Sequence, residues 1–288
     1  MRDVEFDLKK EIKRVFGIQE KDITEFTNLE GSNYVYSFIA KKQKFAIKKL
    51  IDSTIMNWKQ EKAAYNVLSP FDITDEVVSF DNGIKIARFI DNAPKLSYSE
   101  SDQIDALDKI RIVHESGVSI KYNYDIVENM EKYIDLCHNK NSEKLNELEK
   151  YRDKINKIQT KVDKLNILPV LCHGDACVSS NFLRLTDGSI RIIDWEQAGM
   201  ADPLLDIAIA ALHQGFENVD PVWCLHHYLK RTPARQEYLR LFSFLALDSF
   251  ALMAWCIFIE NSNWYNPNWY ESFLNSAIKY SELILNYY

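Results

Sequence analysis

Residues 171–197 read LCHGDACVSSNFLRLTDGSIRIIDWEQ, and the fold turns on how this stretch is read. An apolar run ends in a polar loop that carries His173, Asp175 and Asn181. A hairpin turned at Asp187-Gly188 follows and ends at Asp194. Such a hairpin is expected to return Asp194 beside the loop, so that Asp175, Asn181 and Asp194 converge. Three oxygen-bearing side chains of this kind suit Mg²⁺, which takes hard oxygen ligands and few carboxylates, with phosphates completing its shell. Phosphoryl transfer needs that metal, a positioned acceptor hydroxyl and a base. In the kinase layout an Asp takes the proton, an Asn holds one metal ion and a second Asp follows after a short hairpin. Asp175, Asn181 and Asp194 stand in that chain order. Five residues separate Asp175 from Asn181, where the template has four, so the loop either bulges or gives the metal position to Ser180. The amide oxygen of Asn181 is the better ligand.

Upstream, the pattern describes a small sheet. Residues 4–16 carry Val4, Leu8, Ile12 and Val15 at helical spacing. EGSNYVYSFIAKKQKFAIKKLI reads as two strands joined by a KKQK turn, and TIMNWKQEKAAYNVL as a helix capped by Ser53 or Thr54. EVVSF and IKIARFI form a second strand pair turned at Asp81-Asn82-Gly83. Past Asp91-Asn92-Ala93-Pro94 helices dominate, beginning with Ser99 to His114. The stretch from Asn141 to Leu168 carries an apolar stripe, read as a coiled-coil homodimer seam or as a helix packed on its own lobe. The chain therefore divides near residue 92 into lobes 1–92 and 93–288, and a cleft between two lobes suits a ligand.

Composition narrows the function. The 288 residues carry a net charge of −7 with no basic run, which argues against nucleic-acid partners. Five scattered cysteines without a C-x-x-C pair signal neither zinc nor disulfides and fit a reducing, cytoplasmic setting. The charged N-terminal segment lacks the apolar core of a signal peptide. Leu241 to Ile259 is long enough to span a membrane, yet Asp248 near its centre would cost about 3 kcal/mol there, so a core helix is expected and no membrane partner.

HGD…NFL, IIDWE and ADPLLDIA together resemble the aminoglycoside phosphotransferase/choline kinase superfamily, and IDWEQAGMADPLLDIA looks especially like its bacterial Lic-type choline kinases. The resemblance runs from about Thr27 to about Tyr280. It implies a protein-kinase-like α+β fold, with a small antiparallel sheet and one helix in the nucleotide-binding lobe and a larger helical lobe for catalysis and substrate. It implies ATP and Mg²⁺ as cofactors, with Asp175 as catalytic acceptor of the hydroxyl proton and Asn181 and Asp194 on the metal. His173 would orient the loop, and Asp206, in D-P…D with Asp202, would brace it. Lys48 in KFAIK would hold the α/β phosphates, paired with Glu61. Lys49 is its rival, and strand alternation should decide between them. The backbone of Arg88, Phe89 and Ile90 would meet adenine, and Ser32 and Asn33 would cover phosphate, although EGSNYVY has a single glycine.

The acceptor implied is a small cationic alcohol, choline first and ethanolamine next. A quaternary ammonium needs aromatic faces and carboxylates. Asp248 and Trp255 share one face of the helix from Leu241, and Glu196 would add negative charge. An aminoglycoside or another hydroxylated metabolite is the rival acceptor, and a catalytically silent nucleotide-binding scaffold is the rival from another class.

Overall fold

The computed structural model describes residues 2–29, 33–50, 56–97, 99–137, 142–212, 220–263 and 265–287. The first elements along the chain are α1 (Arg2–Phe16), β1 (Thr24–Leu29), β2 (Tyr34–Ala40), β3 (Gln43–Lys49), α2 (Trp58–Leu68), β4 (Val77–Asp81) and β5 (Ile84–Arg88). Next come α3 (Glu100–Glu115), α4 (Ile126–Cys137), α5 (Glu143–Glu149), α6 (Arg152–Asp163), β6 (Val170–Cys172), α7 (Val178–Asn181), β7 (Phe182–Arg184), β8 (Ile190–Ile192) and β9 (Gly199–Ala201). The chain closes with α8 (Leu204–Leu212), α9 (Pro221–Leu229), α10 (Arg235–Ile259) and α11 (Asn268–Tyr287). The structure forms two compact units, Met1–Lys95 with Leu183–Glu196, and Leu96–Phe182 with Gln197–Tyr288.

The first unit holds a five-stranded sheet in the order β1-β2-β3-β5-β4, antiparallel throughout. β2 and β3 are joined by Lys41-Lys42, both in the left-handed region (φ 49° and 63°), as a two-residue hairpin demands. One face of the sheet is apolar. Phe38, Phe45, Ile47 and Ile86 pack there against Leu8 and Ile12, which lie one turn apart on α1. Burying each such side chain stabilises the unit by about 1.5–3 kcal/mol. The opposite face carries Ala46, Lys48, Lys85 and Ala87, since neighbours on a strand point opposite ways. α2 brings Glu61 and Tyr65 to the lysines of that face. Its N-cap is Asn57, whose side chain accepts from the N–H of Lys59 at 3.0 Å. The expected caps, Ser53 and Thr54, lie outside the described residues. β1 is a strand the sequence pattern did not announce.

The expected boundary at residue 92 assigned the β7–β8 hairpin to the second lobe, and the structure groups residues 183–196 with the first unit instead. Two backbone bonds and an ion pair account for this. Ile192 donates to the carbonyl of Ile73 at 2.7 Å, Arg184 donates to Pro94 at 3.0 Å, and Arg191 pairs with Asp72 at 2.5 Å.

In the second unit α10 is the central post, with α4, α5, α6, α8, α9 and α11 packed on it. It is long and apolar enough to cross a membrane, but 78% of its apolar window is buried within the protein, as suits a core helix. The stripe of residues 141–168 turns inward: Leu145, Leu148, Ile155, Ile158 and Val162 are buried. The helix that carries the stripe is broken into α5 and α6 where Lys150 and Tyr151 donate to carbonyls three residues back rather than four, which tightens the turn.

Candidate active site

In the first unit the site is a knot of buried charge. Lys48 is only 5% exposed, and its ammonium lies 2.6 Å from Asp194, 3.6 Å from Glu61, and in a short contact with Glu196. Burial works against that charge, but the three carboxylates outweigh burial and hold Lys48 well above its ordinary pKa. Lys49 faces the other way and pairs with Asp7 of α1 at 3.0 Å, so alternation puts Lys48 with the acids. Lys85, directly opposite Lys48 on the ladder, reaches Glu61 at 3.2 Å and Asp75 at 3.4 Å.

Glu196, expected near an acceptor, is buried in this unit and accepts from Lys48 and from the side-chain amide of Asn33 at 3.0 Å. Burial raises its carboxyl, Lys48 pulls it down, and Asp194 and Glu61 push it up, which leaves it at about 7. Asp194 adopts φ +66°, a left-handed conformation that Asp tolerates better than most residues, and its side chain is 38% exposed. Four carboxylates (Glu61, Asp75, Asp194 and Glu196) thus face two ammonium groups (Lys48 and Lys85). The donor set fits a divalent cation at Asp194, which would offset the residual negative charge with hard oxygen ligands. Trp195 is fully buried and donates to the carbonyl of Ile192 at 2.9 Å, which fixes the turn that carries Asp194.

The segment expected to meet adenine is partly committed to the sheet. The N–H of Arg88 donates to Glu76 at 2.8 Å and that of Phe89 to Lys44 at 3.1 Å. Asn33 acts through its side chain on Glu196, and Ser32 lies outside the described residues.

In the second unit the loop after β6 is held mainly by its backbone. Asp206, at the start of α8, accepts from the N–H of His173 at 2.7 Å and of Gly174 at 2.9 Å. His114 bridges Asp206 (3.1 Å) and the Tyr228 hydroxyl (2.8 Å). Burial would raise the Asp206 carboxyl, but His114, His173 and the backbone donors hold it below the usual carboxylate value. Gly174 has φ +76°, and a Cβ there would run into the Gln197 carbonyl, so only glycine fits. The ring of His173 accepts from the N–H of Asp175 at 3.2 Å and so orients the loop. The loop contains a single helical turn, α7. Asn181 is buried with its amide donating to the Asp175 carbonyl (2.8 Å) and carboxylate (3.1 Å), while the Ser180 hydroxyl turns to Cys177.

A model of the family described as choline/ethanolamine kinase matches residues 39–242. The chain belongs to the choline/ethanolamine kinase family. It is 27% identical over 184 residues, 61% of its length, to Protein LicA of Haemophilus influenzae, and the match spans 64% of that relative and 51% of a second LicA protein from the same species. The choline kinase LicA from Streptococcus pneumoniae has the same fold, with a TM-score of 0.78, 18% identity, and coverage of 97% of this chain and 99% of that one. A LicA structure in complex with AMP gives 0.75 at 19% identity, covering 94% and 98%.

In this choline/ethanolamine kinase family chain, Tyr124 of the second unit feels the charges of both Asp175 and Asp248. Burial pushes the Tyr124 hydroxyl well above its ordinary pKa, helped by the charges of Asp248 and Asp175. Asp248 is buried at the middle of α10. Tyr124 donates to Gln197 at 3.1 Å, and Asn129 donates to both. Trp255, two turns beyond Asp248, is half-buried with its ring 5.7 Å from Trp269, which in turn meets Tyr265 edge-on. Sequence reasoning passed over Lys85, His114, Tyr124 and Gln197. Alternation in IKIAR was a usable signal for Lys85, since a lysine between two inward isoleucines must face the other buried side. Nothing in the sequence marked His114, a lone histidine on an amphipathic helix.

Proposed function

We propose that the chain transfers the γ-phosphoryl group of ATP, with Mg²⁺, to the hydroxyl of a small cationic amino alcohol, choline first and ethanolamine second. The observation that carries this reading is the Asp175–Asn181 pair, held in a backbone-anchored loop beside Tyr124 and Asp248. Asp175 orients the acceptor hydroxyl and takes its proton as the oxygen–phosphorus bond forms and the bond to the β-phosphate oxygen breaks, leaving ADP and a phosphomonoester. Asn181 and Asp194 would supply oxygen ligands to Mg²⁺, which would neutralise charge on the phosphates. Lys48 holds the α/β phosphates, with Glu61 and Glu196 as its resting partners. Asp248 faces the substrate cation, and Trp255 lends it an aromatic wall. The reading belongs to a cytoplasmic enzyme, where ATP is supplied.

An ATP-consumption assay over choline, ethanolamine, kanamycin, homoserine and thiamine tests this. Turnover with choline or ethanolamine above the rest is expected. Turnover with another panel member and neither amino alcohol would refute the acceptor, and Mg²⁺-independent nucleotide binding without turnover would favour a silent scaffold.

A further inference from the structure

Lys85 and Lys48 are Cα partners on adjacent antiparallel strands and point to the same face, both nearly inaccessible. Like charges directly opposite on a ladder repel, and a buried ammonium is held only where carboxylates pair with it. What reconciles the pair is Glu61. One of its oxygens lies 3.2 Å from Lys85 and 3.6 Å from Lys48. Lys85 is anchored from behind: it donates to the Tyr65 hydroxyl at 2.6 Å, Tyr65 donates to Asp75 at 2.5 Å, and Asp75 is itself 3.4 Å from Lys85. The ammonium of Lys85 also lies 4.3 Å from the centre of the Tyr65 ring. Lys85 thus has the closer hold on Glu61, while Lys48 makes its shorter bonds to Asp194 and Glu196.

We propose that Lys85 is a positioning residue of the nucleotide site, a second lysine that fixes Glu61 and through it the place of Lys48. When Lys48 turns to nucleotide phosphates, Lys85 keeps Glu61 from being left as an unpaired buried charge, so the exchange carries no penalty on that side. The inference rests on the kinase reading above and adds a residue to it.

The test uses the whole chain and reads calorimetric affinity for a non-hydrolysable MgATP analogue in wild type, Lys85→Met, Glu61→Gln and the double variant, with thermal melts of each. Lys85→Met is expected to weaken the analogue by about tenfold or more and to raise KM for ATP with KM for the acceptor unchanged. Because Lys85 acts through Glu61, the double variant should bind within about twofold of Glu61→Gln alone. If Lys85→Met does not fold, Lys85→Met/Asp75→Asn, which also relieves the stranded carboxylate, should fold and show the same deficit. A folded variant that binds within about twofold of wild type, or effects that multiply, would overturn the inference while leaving the kinase reading intact. A wild type that binds no MgATP analogue would sink both together.

Discussion

Two buried carboxylates, Glu196 in the first unit and Asp206 in the second, differ in what replaces water around them. Asp206 accepts two backbone N–H bonds and faces His114, and its carboxyl is held down. Glu196 shares Lys48 with Asp194 and Glu61, and its carboxyl is pushed up to about 7. The first arrangement is complete in itself and serves to hold a loop. The second is short of positive charge, which suits the cation and nucleotide proposed for it. One unit builds shape from backbone hydrogen bonds, and the other stores an electrostatic deficit.

The largest effect should come from the loop that the complete arrangement holds. Asp175→Ala is expected to lower kcat with choline by about 10²–10⁴-fold, the usual worth of a positioned base, with KM for ATP little changed. Steady-state kinetics check it, and wild-type turnover would remove Asp175 from the chemistry. Asp206→Ala should cost at least about 2 kcal/mol in urea denaturation, because it leaves the His173 and Gly174 N–H groups buried without their acceptor. A loss below about 0.5 kcal/mol would mean the loop does not need this anchor.

The same contrast predicts opposite pH slopes. The Asp206 carboxyl is depressed in the folded protein, so its contribution is complete above 3.8 and is lost as pH falls through the lower folded value. The Glu196 carboxyl is raised from 4.5 to about 7, so its contribution is complete below 4.5 and is lost as pH rises to about 7. Thermal melts of the nucleotide-free protein should therefore show a decline between pH 5 and 7.5 that Glu196→Gln flattens. An unchanged slope in that variant would assign the decline to other groups.

Smaller effects sharpen the contrast at its edges. Trp255→Ala should raise KM for choline by about tenfold, within the range of a desolvated cation–π contact, and leave KM for ATP alone. A melting loss with no change in KM would make Trp255 a core residue. Asn57→Ala should cost about 1 kcal/mol through the N-cap of α2, the helix that carries Glu61.

The sequence disclosed the polar loop, the hairpin after it and the charged pair Lys48–Glu61, because their signals are local: residue types at short spacing, and strand alternation that separates Lys48 from Lys49. What stayed hidden depends on register and long-range partners. Lys85 opposes Lys48 only once β3 and β5 are paired, and Glu196 turns toward Asn33, 163 residues away. His114 meets Asp206 from a helix 92 residues earlier. The break between α5 and α6 left the apolar stripe intact, so periodicity alone could not reveal it.

Product analysis tests the central claim most directly: ³¹P NMR of the wild-type protein incubated with MgATP and choline. The account predicts a new phosphomonoester resonance of phosphocholine appearing in step with ADP. Phosphate released to water at the same rate with or without choline, or no consumption of ATP at all, would contradict it.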